Sequence, residues 1–320
     1  MFSKRADGVR IKNQSIIEKA APFFMRDRIG SQQLITSTVR CEPIDKFIKE
    51  QRALGKDYTY TDILMASIVR LVYLRPKLNH FIMHDIKYVH KDVTLCMVVK
   101  TKLTDDGEEL TLKFHFDGTE TIDEVKKVID ETIKKNLTTG DEDYKTTKTA
   151  GFLCKLPAWM FRTAMWFVKL FDRHNCFTKF ISDASCFHCS IFVTNLKSIK
   201  LDSIYHHLYD FGTCSVFVAM GKTKVVPYVR DNTEVVAEKV FDLGLTLDER
   251  IADGFYFSKT LRVWNEIFEH PECLLEKQPP KVDENIKKKP TKEEKKKIKE
   301  EKKKLKAEKK ATKKLKGGKK

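Results

Sequence analysis

The apolar positions of this chain switch repeatedly between a period of two and a period near 3.6, which predicts short strands interleaved with amphipathic helices. Ser15–Ala21 reads as a short helix, and Leu34–Val39, alternating with Thr and Ser, as a strand. Pro43 opens a helix that places Ile44, Phe47 and Ile48 on one face and ends near Gly55. From Thr61-Asp62 a further helix carries Ile63, Leu64, Ile68, Leu71 and Val72 to a stop at Pro76. That helix is apolar over most of its circumference and is expected deep in the core.

Ile86–Val89 and Val93–Lys100 look like a pair of strands, and Glu109–Phe116 alternates Leu110, Leu112, Phe114 and Phe116 with polar neighbours. Thr121 and Glu124 form a capping box before a helix that buries Val125, Val128, Ile129 and Ile133. Asn136–Thr149 is polar and reads as a mobile loop, and an apolar helix follows around Leu156–Phe171. Three strand-like runs come next, Cys189–Asn195, Cys214–Met220 and Val235–Leu247, the last two separated by a turn at Arg230-Asp231-Asn232. A final helix, Phe255–Glu269, spaces Phe257, Leu261, Trp264 and Phe268 by 4, 3 and 4 residues, and Pro271 and Pro279-Pro280 end the globule. The expected fold class is α/β of the α+β type, with hairpin-like strands in place of regular βαβ alternation.

Composition changes the picture in one respect. The 320 residues carry a formal charge of +16, with 41% hydrophobic and 10% aromatic residues, enough to bury a core. Residues 281–320 hold 20 lysines against 7 acids, so they supply +13 of that charge and leave a near-neutral body. The chain therefore divides into a folded domain, 1–275, and a Lys-rich tail, 276–320, expected to be disordered. Eight cysteines sit mostly inside apolar runs, and the start MFSKRADGVRIKN lacks an apolar signal region, which points to a reducing cytoplasm. Arg162 and Lys169 interrupt the most apolar helix, which is shorter than the roughly 20 residues a bilayer span needs, so no transmembrane segment is expected.

The richest candidate chemistry is the run Leu245-Thr246-Leu247-Asp248-Glu249-Arg250-Ile251-Ala252-Asp253-Gly254, between a strand and the last helix. Taken alone it reads as a helix cap at Asp253 and an ion pair at Arg250. It resembles, however, the Asp-His-Arg-x-x-Asp-Gly signature of the catalytic domain of 2-oxo-acid dehydrogenase dihydrolipoyl acyltransferases and of the related chloramphenicol acetyltransferases. Asp248, Arg250, Asp253 and Gly254 match, while Glu249 stands where the family has its catalytic His. Ile191-Phe192-Val193-Thr194-Asn195-Leu196 is similar to the family's Phe-Thr-Ile-Ser-Asn-Leu strand, and Pro76-Lys77-Leu78-Asn79 to its Pro-x-Leu-Asn helix end. The similarity runs over roughly residues 20–270, with gaps.

The resemblance implies a chloramphenicol-acetyltransferase-like mixed sheet flanked by helices, acting on an acyl thioester of coenzyme A or lipoamide. Thr194 would be the oxyanion donor, Glu249 the residue in the base position, and Asp253 a structural partner, with Arg28 or Arg26 as its pair. The family's site lies between subunits, so a homotrimer is expected. Because the similarity starts near residue 20, no lipoyl domain is expected on this chain. A thiol near pKa 8.5 is better matched to an imidazole near 6.5 than to a carboxylate near 4.3, a difference of about 2 units or about 3 kcal/mol. Glu249 is thus a poor base unless burial raises it. Three readings follow: an acyltransferase with Glu249 as an unusual base, a catalytically silent oligomeric binding or regulatory module on the same fold, or a replacement base at His206 or His207, for which an ordinary surface loop is the plainer account.

Cys186-Phe187-His188-Cys189 lacks a second ligand pair for zinc and reads as buried thiols, so no metal is expected. Asp105-Asp106-Gly107-Glu108 reads as a hairpin turn and not a calcium loop. Residues 281–320 contain neither Arg nor an aromatic residue, which suits non-specific attachment to RNA or an anionic surface. Salt-sensitive retention on immobilised heparin or RNA should accordingly disappear when 281–320 are deleted. Retention by the shortened protein would refute that role for the tail.

Overall fold

Eleven consecutive buried residues, Asp62–Val72, make α3 (Tyr60–Leu74) the helix around which the body is built. Its start is fixed by a capping box: the Thr59 side chain accepts from the Asp62 amide, and the Asp62 carboxylate accepts from the Thr59 amide at 2.8 Å. The computed structural model describes residues 5–100, 109–138, 157–230 and 233–280. The Asp105–Glu108 turn, residues 139–149 of the polar stretch, positions 231–232 and the tail from 281 lie outside the described residues.

The main sheet has six strands in the order β2 (Gln32–Arg40), β9 (Glu234–Asp248), β8 (Val216–Arg230), β7 (Ile191–Asn195), β5 (Val93–Lys100) and β6 (Glu109–Phe116). It is mixed: β7 runs parallel to both β5 and β8, and the other pairings are antiparallel. The central strands are buried on both faces, which explains runs such as Leu95-Cys96-Met97 that do not alternate. A smaller antiparallel sheet joins β1 (Gly8–Arg10), β4 (Ile86–His90) and β3 (His80–Met83). The two strands expected as a pair around Ile86 and Val93 therefore belong to different sheets. A two-residue turn at His84 and Asp85, both with positive φ, folds β4 back on β3 instead.

One face of the main sheet carries Ile191, Val193, Val216, Val218, Leu243, Leu245 and Leu247 into the core with α3 and with α7 (Gly254–Glu269). There the Trp264 indole donates to Ser67 Oγ at 2.9 Å, tying the two helices together. The helices α2 (Glu42–Ala53) and α4 (Ile122–Thr138) contribute Ile44, Phe47, Val125 and Ile129 to the same core. The expected capping box at Thr121 and Glu124 is formed.

The opposite face carries Cys96, Phe192 and Phe217, packed with Cys186, Cys189, Leu208 and Cys214. The segment 200–207 crosses this face in direct contact with strand backbones. A Cβ on Gly221 would collide with Ser203, and one on Gly244 with the Ile204 carbonyl. The remaining helices are α1 (Ile16–Phe24), α5 (Ala158–Arg173) and α6 (Lys179–Ala184). No helix among the described residues is long and apolar enough to cross a membrane.

The small sheet gives a pH signature. Burial pushes the His90 imidazole down to about 4, and burial with the charges of Lys87 and Lys77 pushes His80 down to about 3. Burial alone would raise the Asp7 and Glu18 carboxyls. Arg5 outweighs it at Asp7, and Lys77 with the Ser15 amide and Lys87 outweighs it at Glu18, so each is held at about 2. All four groups are less protonated when folded, so the unfolded chain takes up more protons on acidification. Stability should fall as pH drops below about 6.5 through the histidine range, then further below about 4 as the carboxylates protonate. Denaturant midpoints measured across that range should show this slope, and His90→Gln should flatten its upper part.

Candidate functional site

The strand β9 ends on Asp248, which is fully buried, and the next two residues turn out of the sheet. The turn is held by a bidentate ion pair. Arg250 Nε and Nη2 donate to the two Asp248 carboxylate oxygens at 2.9 and 2.8 Å, and the Arg250 amide adds a third bond at 3.0 Å. The guanidinium reaches on to the carbonyls of Met25 and Arg26 at 3.2 and 3.3 Å, and the Glu249 amide donates to the Ser31 carbonyl at 2.8 Å. Below the turn, the buried Lys87 ammonium donates to the Ile251 carbonyl at 3.2 Å, and burial lowers its pKa. Position 249 is thus presented by a rigid loop while its own side chain is exposed.

Asp253 is the N-cap of α7: its carboxylate accepts from the Tyr256 amide at 2.7 Å. Arg28 is turned away from it. The Arg28 guanidinium is buried and donates to the carbonyls of Tyr209, Gly212 and Ile82 at 2.8, 2.7 and 3.4 Å, with burial lowering its pKa. Arg26 offers only its carbonyl to this loop, as an acceptor for Arg250.

Thr194 is half-buried near the end of β7, on the sheet face that carries Phe192 and Phe217. Asn195 fixes that strand end, donating to Thr61 Oγ1 at 2.9 Å and accepting from the Ser198 amide at 3.3 Å. The register separates Thr194 from Glu249. Thr194 aligns with Ala219 on β8 and through it with Gly244 on β9. From Gly244 to position 249 is about 16 Å along the strand, with two strand spacings, about 10 Å, across it. The two residues therefore do not meet within one chain.

His206 lies on the Thr194 face. Its ring stacks on Phe217 with centroids 4.1 Å apart, and Phe217 stacks on Phe192 at 5.0 Å. Its Nδ1 donates to the His207 carbonyl at 2.9 Å, which leaves Nε2 as the basic nitrogen of the neutral ring. His207 is exposed. Cys186, Cys189 and Cys214 are free and buried, and their thiols are raised, Cys186 and Cys189 chiefly by burial and Cys214 chiefly by its contact with Cys189. They are poor nucleophiles. Among the described residues no group of His, Cys, Asp or Glu has the geometry to hold a metal ion.

With this geometry in hand, comparison with known proteins is specific. Residues 211–276, a stretch that contains β8, β9 and α7 whole, match the family of 2-oxoacid dehydrogenases acyltransferase (catalytic domain). A probable dihydrolipoamide acetyltransferase from Listeria monocytogenes 4b F2365 is 11% identical and superposes over 82% of this chain and 94% of its own, with a TM-score of 0.51. The fold is that of the dihydrolipoamide acyltransferase catalytic core.

The cubic core of the pyruvate dehydrogenase multienzyme complex is similar over 83% of this chain and 94% of that one, at 12% identity and a TM-score of 0.51. The dihydrolipoamide acetyltransferase of Azotobacter vinelandii gives 12% identity, the same coverage and a TM-score of 0.50. The comparison with curated protein sequences returns no match. The acyltransferase-core fold brings Asp248, Arg250 and the loop at 249 together as one unit and leaves Thr194 on a separate strand. Sequence reading missed Ser31 and Lys87, which pin the loop. No local signal marked Lys87, which alternates with the buried Tyr88 and His90 and lies on the other face of β4.

The Asp248–Arg250 pair carries the loop's rigidity. Asp248→Asn leaves a buried guanidinium with a neutral partner, and unfolding free energy should fall by about 3 kcal/mol, measured by denaturant titration. A change within ±0.5 kcal/mol would show that the loop does not depend on the pair.

Proposed function

We propose that the chain is an acyltransferase that moves an acyl group between a thioester, of coenzyme A or of lipoamide, and an acceptor. In this reading it works as a homotrimer with its site between subunits. Thr194 of one subunit donates to the tetrahedral oxyanion, and Glu249 of the next stands in the base position. Asp253 holds the loop by capping α7. The observation that carries the reading is the preserved frame of the 249 loop. A buried bidentate pair, a pinned amide and a helix cap all act to present one exposed side chain. Such fixed presentation is what a general base requires. The wide separation of Thr194 and Glu249 within a chain fits a site completed by a second chain. The tail 281–320 would hold the protein to a polyanion.

In the proposed step the carboxylate takes the proton of the attacking thiol, and the thiolate adds to the thioester carbonyl. The oxyanion then collapses and expels the original thiolate, which recovers the proton. A carboxylate near pKa 4.3 is too weak a base to ionise much of a thiol near 8.5, so turnover should be slow. The specific observation favouring a second reading, a silent oligomeric module, is the same one: position 249 bears a carboxylate where the resemblance calls for an imidazole.

Two measurements decide. Glu249→His should raise thiol-dependent acyl-CoA turnover about 100-fold, from the roughly 2 pKa units recovered. Thr194→Ala and Glu249→Gln should each be inactive alone, yet mixed and reassembled together they should regain about a quarter of wild-type activity, since random trimers rebuild intact sites at that frequency. No turnover by wild type or Glu249→His across a panel of acyl-CoAs favours the silent module. Activity that survives Glu249→Gln but is lost in His206→Asn moves the base to His206.

A further inference from the structure

The helix α5 is built inside out. Its one buried residue is an acid, Asp172, while Trp159 is 69% exposed and Trp166 59%. At 100° per residue, Trp159, Met160, Trp166, Phe167, Leu170 and Phe171 fall on one arc of about 140°. All but the half-buried Leu170 are exposed. Phe161, Met165 and Val168 lie opposite and are half-buried toward the body. Arg162, Lys169 and Arg173 form a stripe along one border of the apolar arc.

The helix is fastened by polar chemistry. Asp172 accepts from Arg5 Nη2 at 2.7 Å and from His188 Nε2 at 3.0 Å, and its carbonyl accepts from Arg5 Nη1 at 2.9 Å. His188 Nδ1 meets Ser185 Oγ at 2.8 Å. This Ser–His–Asp alignment is an anchor and not a catalytic relay, because the carboxylate's charge is already met by Arg5 inside the protein. The helix thus contributes no free acid: its only carboxylate is buried and paired, and its exposed charges are all positive.

We propose that the exposed face of α5 docks on an anionic lipid bilayer, lying in the plane of the interface. The arc supplies two indoles and three large apolar side chains to the headgroup–acyl boundary, and the cation stripe meets lipid phosphates. Charge complementarity selects this occupant. An apolar partner groove would leave three cations unmatched, whereas an anionic interface satisfies both halves of the face. Near the stripe, Lys169 and Arg173 also line a cleft of about 410 Å³ with Arg26, Arg28 and Arg250. Four acids line it too, but Asp172 is bonded to Arg5 and His188, and Asp27 to the Gly30 amide; with Arg250 paired to Asp248, Asp85 and Asp210 remain against Arg26, Arg28, Lys169 and Arg173. The proposal does not rest on acyl transfer or on the tail.

The third tryptophan makes the test specific. Trp264 is buried and bonded to Ser67, so fluorescence changes on docking report Trp159 and Trp166. The full chain is mixed with vesicles of phosphatidylcholine plus phosphatidylglycerol, and with vesicles of phosphatidylcholine alone. The expected result is a blue shift and quenching by acyl-brominated lipid with the anionic vesicles only. Trp166→Glu/Phe167→Glu should keep its melting temperature and lose the quenching of Trp159. Arg162→Gln/Lys169→Gln should weaken the quenching of both indoles by phosphatidylglycerol vesicles at least threefold, whatever attachment the Lys-rich tail supplies. Sedimentation with vesicles without quenching would mean another part of the chain holds the lipid, and would overturn the proposal. So would tryptophan emission that depends on protein concentration without lipid, together with an oligomer that Trp166→Glu/Phe167→Glu dissociates, since the face would then join copies of the chain.

Discussion

The contact between Asp248 and Arg250 governs what this fold can present. A fully buried carboxylate and a nearly buried guanidinium two residues apart force the chain to leave the sheet sharply at position 249. The same guanidinium reaches the carbonyls after α1, which ties the loop to the N-terminal segment. Removing either charge would strand the other in a low-dielectric interior, which is why the pair constrains the sequence more than its net energy suggests. The residue between them is free to vary in chemistry because its side chain takes no part in the packing.

The second constraint is register. Parallel pairing of β7 with β8, and antiparallel pairing of β8 with β9, fixes Thr194 opposite Gly244. That places the hydroxyl and the 249 loop at different points of the sheet. The face between them is not bare: Gly221 and Gly244 let the 200–207 segment lie against the strands, and it brings His206 onto Phe217. An imidazole with one committed nitrogen therefore shares a face with Thr194, although the chain order gives no hint of it.

Parts of this architecture are written in local chemistry. The apolar circumference of α3, the capping box at Thr121, the alternation of β6 and the cap at Asp253 each depend on neighbours within a few residues. Such features can be read from the chain because the groups that satisfy one another are adjacent. The pairing of β4 could not be read that way. Ile86–His90 and Val93–Lys100 are adjacent strands in sequence, and only the turn at His84-Asp85 and the distant β1 decide that they part.

The sequence by itself determined most of the strands and helices, though not β1, β3 or α6, and the carboxylate that stands at position 249 between Asp248 and Arg250. Each is a matter of residue identity and short-range periodicity. Tertiary structure decided what those residues face. It separated Thr194 from Glu249, turned Arg28 to carbonyls in place of Asp253, and pointed α5 outward. For that helix the amphipathic pattern was legible, but its direction was not: a stripe of Trp and Phe has the same periodicity whether it meets a core or a solvent boundary. Only the burial of Asp172 against Arg5, 167 residues away in sequence, fixes which side is inside.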